Sequence, residues 1–188
     1  MKNFEWCVYT YKHRIAFAYV AKKLIKNPVL LEKIMERQKY HDLDKVLLYL
    51  FLDFETCVDY HVHHQPHHLE CNVPKTYEDL VETIIDYECA PYTKPDKPLN
   101  AFDFVHKLIE WNYIDKQLAN SLFDIMHDLG IDSSYNIMAD PENMKLLQSI
   151  GEVTEEMILL EVMEYVRTNP SKEFDFIKQK GITSCYLP

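Results

Sequence analysis

Glycine is scarce: only Gly130, Gly151 and Gly181 occur in 188 residues, and no Asn-Gly or Asp-Gly pair offers a two-residue hairpin turn. Apolar residues recur at spacings of three and four nearly throughout, so the fold is expected to be all-α, a helical bundle with additional C-terminal helices. Cysteine patterning is missing as well. Cys7, Cys57, Cys71, Cys89 and Cys185 are odd in number, scattered and free of any CxxC pair. That argues against both a disulfide framework and a thiolate zinc ribbon, and reads as reduced thiols in a cytoplasmic protein. No run of about 18 apolar residues occurs, so no membrane partner is expected. The start, MKNFEWCVYTYKHR, places charges where a signal peptide needs an apolar stretch. Basic residues are in deficit, 20 against 30 acidic, for a formal charge of -10. Such an average surface repels phosphate-rich polymers unless a local basic or metal-bearing site compensates, so no extended nucleic-acid binding is expected, while room is left for a small anionic substrate.

What is present is a set of helical segments. The spacing predicts helices from Phe4 to about Ile25, from Pro28 to about Tyr40 behind an Asn27 cap, over HDLDKVLLYLFL to about Leu52, and over FETCVDYHV. Pro66 interrupts the last of these, and Gln65 is expected to cap a new helical turn in which His67 and His68 stand at the start. Thr76 and Asp79 form a capping box for a helix to about Cys89. Ala90 to Asn100, with three prolines, is expected to be a loop that closes over a site with Lys94 and Lys97. Further helices are expected at Ala101 to Tyr113, Asp115 to Leu129, Pro141 to Ile150 behind Asp140, and Thr154 to Thr168. Residues 1–100 would form the chemical core and residues 101–188 an extension packed on it as one compact domain, with homo-oligomerisation as a second use of that extension.

The chain is long enough to bury a core without a metal staple, so a metal here would be functional rather than structural. Five of the nine histidines fall in HVHHQPHH, residues 61–68. Read with carboxylates, four positions stand out: His13, the pair His41-Asp42, the cluster 61–68, and Asp86. Imidazole and carboxylate are the ligands of zinc, manganese, iron or nickel, and helices of a bundle bring them together from distant positions. Glu78, Glu82 and Asp86 are spaced by four and share one helix face, where three carboxylates repel unless cations sit against them. Asp86 is then a ligand candidate. Glu82 is a group orienting a histidine N–H or a base for a water, and Glu78 a solvated residue.

This ordered set resembles the HD superfamily of metal-dependent phosphohydrolases, and HDLDK matches its HDxxK form. The stretch from HHQPHHLE to the helix bearing Glu82 and Asp86 is similar to an HD-like family of unknown function found in bacteria and phages. The resemblance covers roughly residues 8 to 90. Leu69 stands where an aromatic is usual after the histidine pair, and the GYP signature of cyclic-dinucleotide phosphodiesterases is absent.

The resemblance implies one or two divalent ions (Mn, Fe, Zn, Co, Ni or Mg) held by His13, His41, Asp42, His67, His68 and Asp86. One of His61, His63 and His64 would add a further ligand, His64 being the one carried into the set. Lys45, with Arg14, would meet the phosphoryl charge of a small phosphorylated substrate, a nucleotide or nucleotide-derived phosphoester. Plainer roles stand beside these: His13 as a surface histidine, Asp42 as a cap, Lys45 as its i,i+3 salt-bridge partner, and His106 and His127 as surface or core histidines. The same ligand set also suits a di-iron oxygenase or a non-catalytic metal-binding or interaction protein.

Overall fold

The computed structural model describes residues 3–93, 100–132, 145–146, 148–168 and 171–183. Among these residues there is no strand, and the chain is all-α. In order come α1 (Phe4–Leu24), α2 (Pro28–Gln38), α3 (Leu43–Tyr49), α4 (Phe54–His64), α5 (Tyr77–Thr93), α6 (Ala101–Glu110), α7 (Lys116–Leu129), α8 (Glu155–Thr168) and α9 (Ser171–Gln179). No helix among them is long and apolar enough to cross a membrane.

The local signals explain most starts and stops. Asn27 Oδ1 accepts from the amides of Val29 and Leu30 at 3.0 and 3.2 Å, with Pro28 opening α2. The capping box forms as expected: Thr76 Oγ1 takes the Asp79 amide at 3.1 Å while Asp79 Oδ2 takes the Thr76 amide at 2.8 Å. Asn100 and Asp115 cap α6 and α7 through the amides of Asp103 and Leu118, both at 2.8 Å. Gly130 ends α7 at φ 73, a left-handed value that costs glycine nothing.

Three expectations need correcting. The turn after Pro66 does not start a helix; residues 66–71 form bends and turns, so His67 and His68 sit on irregular backbone. Lys75 holds that turn, its Nζ donating to the carbonyls of Pro66, His68 and Cys71 at 2.8, 2.6 and 2.8 Å. Helix α5 continues past Cys89 through Pro91 to Thr93, because Tyr92 is buried in the core with its ring edge-on to Tyr19. Helix α9 was not anticipated. Lys94 and Lys97, and most of the segment expected between Asp140 and Ile150, lie outside the described residues.

Two apolar cores organise the bundle. One joins the C-terminal half of α1, from Ala16 to Leu24, to Ile34 of α2 and to the buried faces of α5, α6 and α7. The other joins Cys7 of α1 to α3, Cys57 and Tyr60 of α4, Ile158 and Val162 of α8, and Ile177 of α9. Each core draws elements from both sides of residue 100. Helix α1 runs through both, and the stretch between its two apolar ends carries Thr10, His13 and Arg14, all buried. A polar seam therefore lies between the cores. Burying such groups is costly unless each has a partner, so this seam is where chemistry is concentrated.

Candidate metal centre

Four parts of the chain feed the seam. His13 comes from the middle of α1, His41 and Asp42 from the turn into α3, His61 from α4 with His67 and His68 just beyond it, and Asp86 from α5. Asp42 adopts φ 63 and ψ 2, a left-handed conformation uncommon outside glycine but tolerated by aspartate. At the N-cap of α3 its carboxylate makes no capping bond; it faces the histidines instead.

Asp42 is the centre of the cluster. Its Oδ1 lies 3.0 Å from His61 Nε2 and 3.9 Å from both His41 Nε2 and His67 Nε2. Its Oδ2 is 2.7 Å from Lys45 Nζ and 3.8 Å from His13 Nε2. On one side His13 Nε2 meets Asp86 Oδ1 at 2.6 Å, and His41 Nε2 is 3.6 Å from the same oxygen. On the other, the Nε2 atoms of His61 and His68 are 2.8 Å apart. Ligand-capable atoms of Asp42, His61, His67 and His68 lie within 4.8 Å of one another, as do those of His13, His41 and Asp42. These buried clusters can hold a metal ion.

The outer nitrogens are fixed by carboxylates, the usual arrangement behind metal-binding histidines. His61 Nδ1 donates to Asp44 Oδ2 at 2.9 Å, and His41 Nδ1 to Glu82 Oε1 at 3.0 Å. His67 Nδ1 is 3.4 Å from the same Glu82 oxygen. The bonds of His61 and His41 set their tautomers so that Nε2 is left to point inward. Glu82 is in turn held by Arg37 Nε at 2.6 Å, and Lys33 Nζ meets Glu78 at 2.6 Å. Lys33 and Arg37, four apart on α2, thus answer Glu78 and Glu82, four apart on α5. The three-carboxylate face is stabilised by two outer cations and, at Asp86, by the cluster itself.

The donor set fits a cation. The buried Nε2 atoms of His41 and His67 have no hydrogen-bond partner, and an unmet nitrogen in the interior is costly without a ligand. Burial opposes charge on Asp42, yet Lys45, His41 and His61 hold its carboxyl well below the usual carboxylate range. Asp86 is likewise held low, against burial, by the hydrogen bond from His13 and by His41 3.6 Å away. Burial pushes His68 down to about 2, helped by the positive charge of His61 and His67, so its imidazole is neutral and able to coordinate. His67 is lowered too, by burial and then by His41 and His61. His41 goes the other way: despite burial, Asp42, the nearby Asp86 and the hydrogen-bonded Glu82 raise it to about 10. Once a bound ion takes the place of the protons on the inward ring nitrogens, Asp42, Asp44, Glu82 and Asp86 outnumber the cations Lys45 and Arg37 set against them, which suits a divalent ion.

Not every expected residue takes part. His64 does not: it is exposed, its Nδ1 donates to its own helix at Tyr60 O (2.7 Å), and its ring stacks on Tyr60. His61 supplies the contact instead. The signal was the spacing of Cys57, Tyr60 and His61, which puts His61 on the buried face of α4. Arg14 is also elsewhere. Its Nε donates to the His41 carbonyl at 2.7 Å, one terminal nitrogen to the Lys39 carbonyl at 2.9 Å, and the other pairs with Glu161 of α8. It braces the His41 backbone rather than facing a substrate. Glu82, 4% exposed, orients His41 from behind. His106 is exposed against Phe102 and Phe123, and His127 is exposed.

Two participants were not singled out. Asp44, the second aspartate of HDLDK, fixes His61 and also accepts from Gln65 Nε2 at 2.8 Å. Cys89 places its sulfur 3.7 Å from both ring nitrogens of His13. Burial, then the charge of Asp86, pushes this thiol well up, so it stays protonated. No protein-family model, curated protein or solved structure matches the chain.

Proposed function

We propose that this chain is a metal-dependent hydrolase of a small phosphorylated substrate, of the HD type. The observation that carries the reading is the meeting of His13, His41 and Asp42 in one buried cluster, with Asp86 Oδ1 2.6 Å from His13 Nε2 and 3.6 Å from His41 Nε2 and Lys45 Nζ 2.7 Å from Asp42. His13, His41, Asp42 and Asp86 would hold one ion, and Asp42, His61, His67 and His68 a second, with Asp42 common to both. Bound there, a divalent ion supplies Lewis acidity toward a phosphoryl oxygen and lowers the pKa of a water.

The chain's own groups do the rest. His13, His41, Asp42, His61 and His67 are all almost fully buried, but of these only His13 and His61, together with His68, Asp86 and Lys45, line a cavity of about 400 Å³. The cluster therefore has a closed back and one side open to a substrate, as a catalytic rather than structural metal site requires. Burial works against charge on Lys45, but Asp42 and Asp86 raise it above the ordinary lysine value, so it is an ammonium at neutral pH. It meets a phosphoryl oxygen at the cavity floor and offsets the charge that builds there. Hydrolysis breaks the ester P–O bond and forms one to water oxygen, releasing alcohol and inorganic phosphate.

Elemental analysis of purified protein, followed by phosphate release from a panel of phosphoesters with Mn, Co, Ni or Mg, tests this. Metal in the protein and turnover abolished by Asp42→Ala and Asp86→Ala are expected. A coloured, iron-loaded protein that consumes dioxygen and releases no phosphate would replace the hydrolase with an oxygenase. Bound metal with no turnover at all would leave a binding protein.

A further inference from the structure

The cavity beside the cluster has an unusual wall. Trp6 and Tyr9 come from α1, Tyr49 from α3, Phe54 from the start of α4, Tyr87 from α5 and Phe104 from α6. Val58 and Val62 complete it along α4. These positions follow from helix periodicity. Trp6, Tyr9 and His13 share one face of α1, and Phe54, Val58, His61 and Val62 share one face of α4, so each helix brings an aromatic or apolar wall and a cluster histidine to the same space. The rings are ordered against each other. Trp6 and Phe54 have centroids 4.2 Å apart, Tyr49 lies parallel to Phe54 at 6.0 Å, and Tyr87 meets Phe104 edge-on at 4.6 Å.

The polar groups are as telling. Among the described residues, Lys45 is the only lysine or arginine on the cavity wall, and Asp86 the only carboxylate. Among the described residues no Asn, Gln, Ser or Thr lines it, so none of them supplies the side chains that usually read base edges and sugar hydroxyls. Recognition by hydrogen bonding, which rejects analogues lacking the matching group, has little to work with here. Stacking and apolar contact have a great deal. One ammonium beside a carboxylate, on a chain of formal charge -10, suits a single phosphoryl group and repels a polyphosphate.

We propose that the cavity bounded by Trp6, Tyr49, Phe54, Tyr87 and Phe104 selects a phosphate monoester whose body is a flat aromatic group, its phosphoryl end at Lys45 and the histidine–carboxylate cluster. This rests on the hydrolase reading for calling the ligand a substrate, and it narrows that reading away from nucleoside polyphosphates. A volume of about 400 Å³ lies at the small end of ligand pockets, enough for one ring system and its linker.

The test compares metal-loaded protein on 2-phenylethyl phosphate, glycerol 1-phosphate and a nucleoside triphosphate, with calorimetric binding of 2-phenylethylphosphonate and 2-hydroxyethylphosphonate. The first two esters have similar alkyl leaving groups, so a rate difference reports on the body of the molecule. The expected result is a kcat/KM at least about tenfold higher for the phenylethyl ester, the same order in phosphonate affinity, and no turnover of the triphosphate. Phe104→Ala, and independently Val62→Trp to fill the cavity, should each raise KM for the phenylethyl ester by about tenfold with metal content unchanged. Equal rates on the two esters would overturn the aromatic selection while leaving the hydrolase. Preferential phosphonate binding with no ester turned over would overturn the hydrolase while leaving the selectivity of the cavity. Neither binding nor turnover would overturn both.

Discussion

Asp44 holds His61: the Nδ1–H of His61 donates to Asp44 Oδ2 at 2.9 Å, and both side chains are 1% exposed. The ring is thereby locked with Nε2 toward Asp42, 3.0 Å away. Asp44→Asn keeps the volume but weakens that lock, and the amide can present its NH2 where an acceptor is needed. The expected outcome is a folded protein whose metal affinity falls by roughly 10–100-fold, the usual cost of losing such an outer partner. Competition with a chromophoric chelator measures it, and unchanged affinity would remove Asp44 from the site.

Arg14 makes a second prediction, about stability rather than chemistry. Its guanidinium ties the carbonyls of Lys39 and His41 to Glu161, joining the turn that carries the His41-Asp42 pair to α8. Lysine cannot reproduce that fork. Arg14→Lys should lose about 2–3 kcal/mol of unfolding free energy, the order expected for charge-assisted bonds to buried carbonyls. A denaturant titration with metal present checks it. A loss of turnover with stability unchanged would instead return Arg14 to the substrate.

The ligand types were legible in the sequence, and their selection only in part. His13, His41-Asp42 and Asp86 stand out because imidazole next to carboxylate in that order has few other uses, and the helices bearing them follow plainly from apolar spacing. The role of Glu82 could be read from its place one turn before Asp86. His61 was obscured by four neighbouring histidines; the Cys57, Tyr60, His61 face decides it, and that face is defined only once the α4 boundary is known. The turn at His67-His68 depends on Lys75 and on the Thr83 hydroxyl, which donates to the His67 carbonyl, contacts that no local propensity encodes. Arg14 and Asp44 are fixed by partners distant in the chain or hidden by the more conspicuous residue beside them.

Glu173 provides a pH test remote in sequence from the ligands. It is buried at the start of α9, takes a hydrogen bond from Tyr165, and is pushed above 4.5 by burial, with Asp44 adding to the effect. A carboxyl whose folded-state pKa is raised contributes most when protonated, so its contribution is fully present below 4.5 and is lost as pH rises through the raised value. Glu173→Gln mimics the protonated form. The variant should melt above the parent at about pH 7.5 and level with it near pH 4. A difference that grows toward acid would contradict the assignment.

His61 and His64 lie three residues apart on the same helix, and the structure gives them opposite surroundings. His61 is 1% exposed between Asp42 and Asp44, while His64 is exposed and stacked on Tyr60. Metal that binds only the folded state stabilises it by mass action, about 2.7 kcal/mol at a hundredfold excess over Kd. His61→Ala should therefore lose much of the rise in Tm on adding Mn, Co or Zn, and retain fewer ions after gel filtration. His64→Ala should keep both the rise in Tm and the ion count, because its imidazole points to its own helix rather than to the cluster. The comparison is internally controlled, since each substitution removes one imidazole from α4. Equal losses in the two variants would mean that the metal sits nearer the end of α4 than the Asp42 cluster, and the ligand assignment would have to move with it.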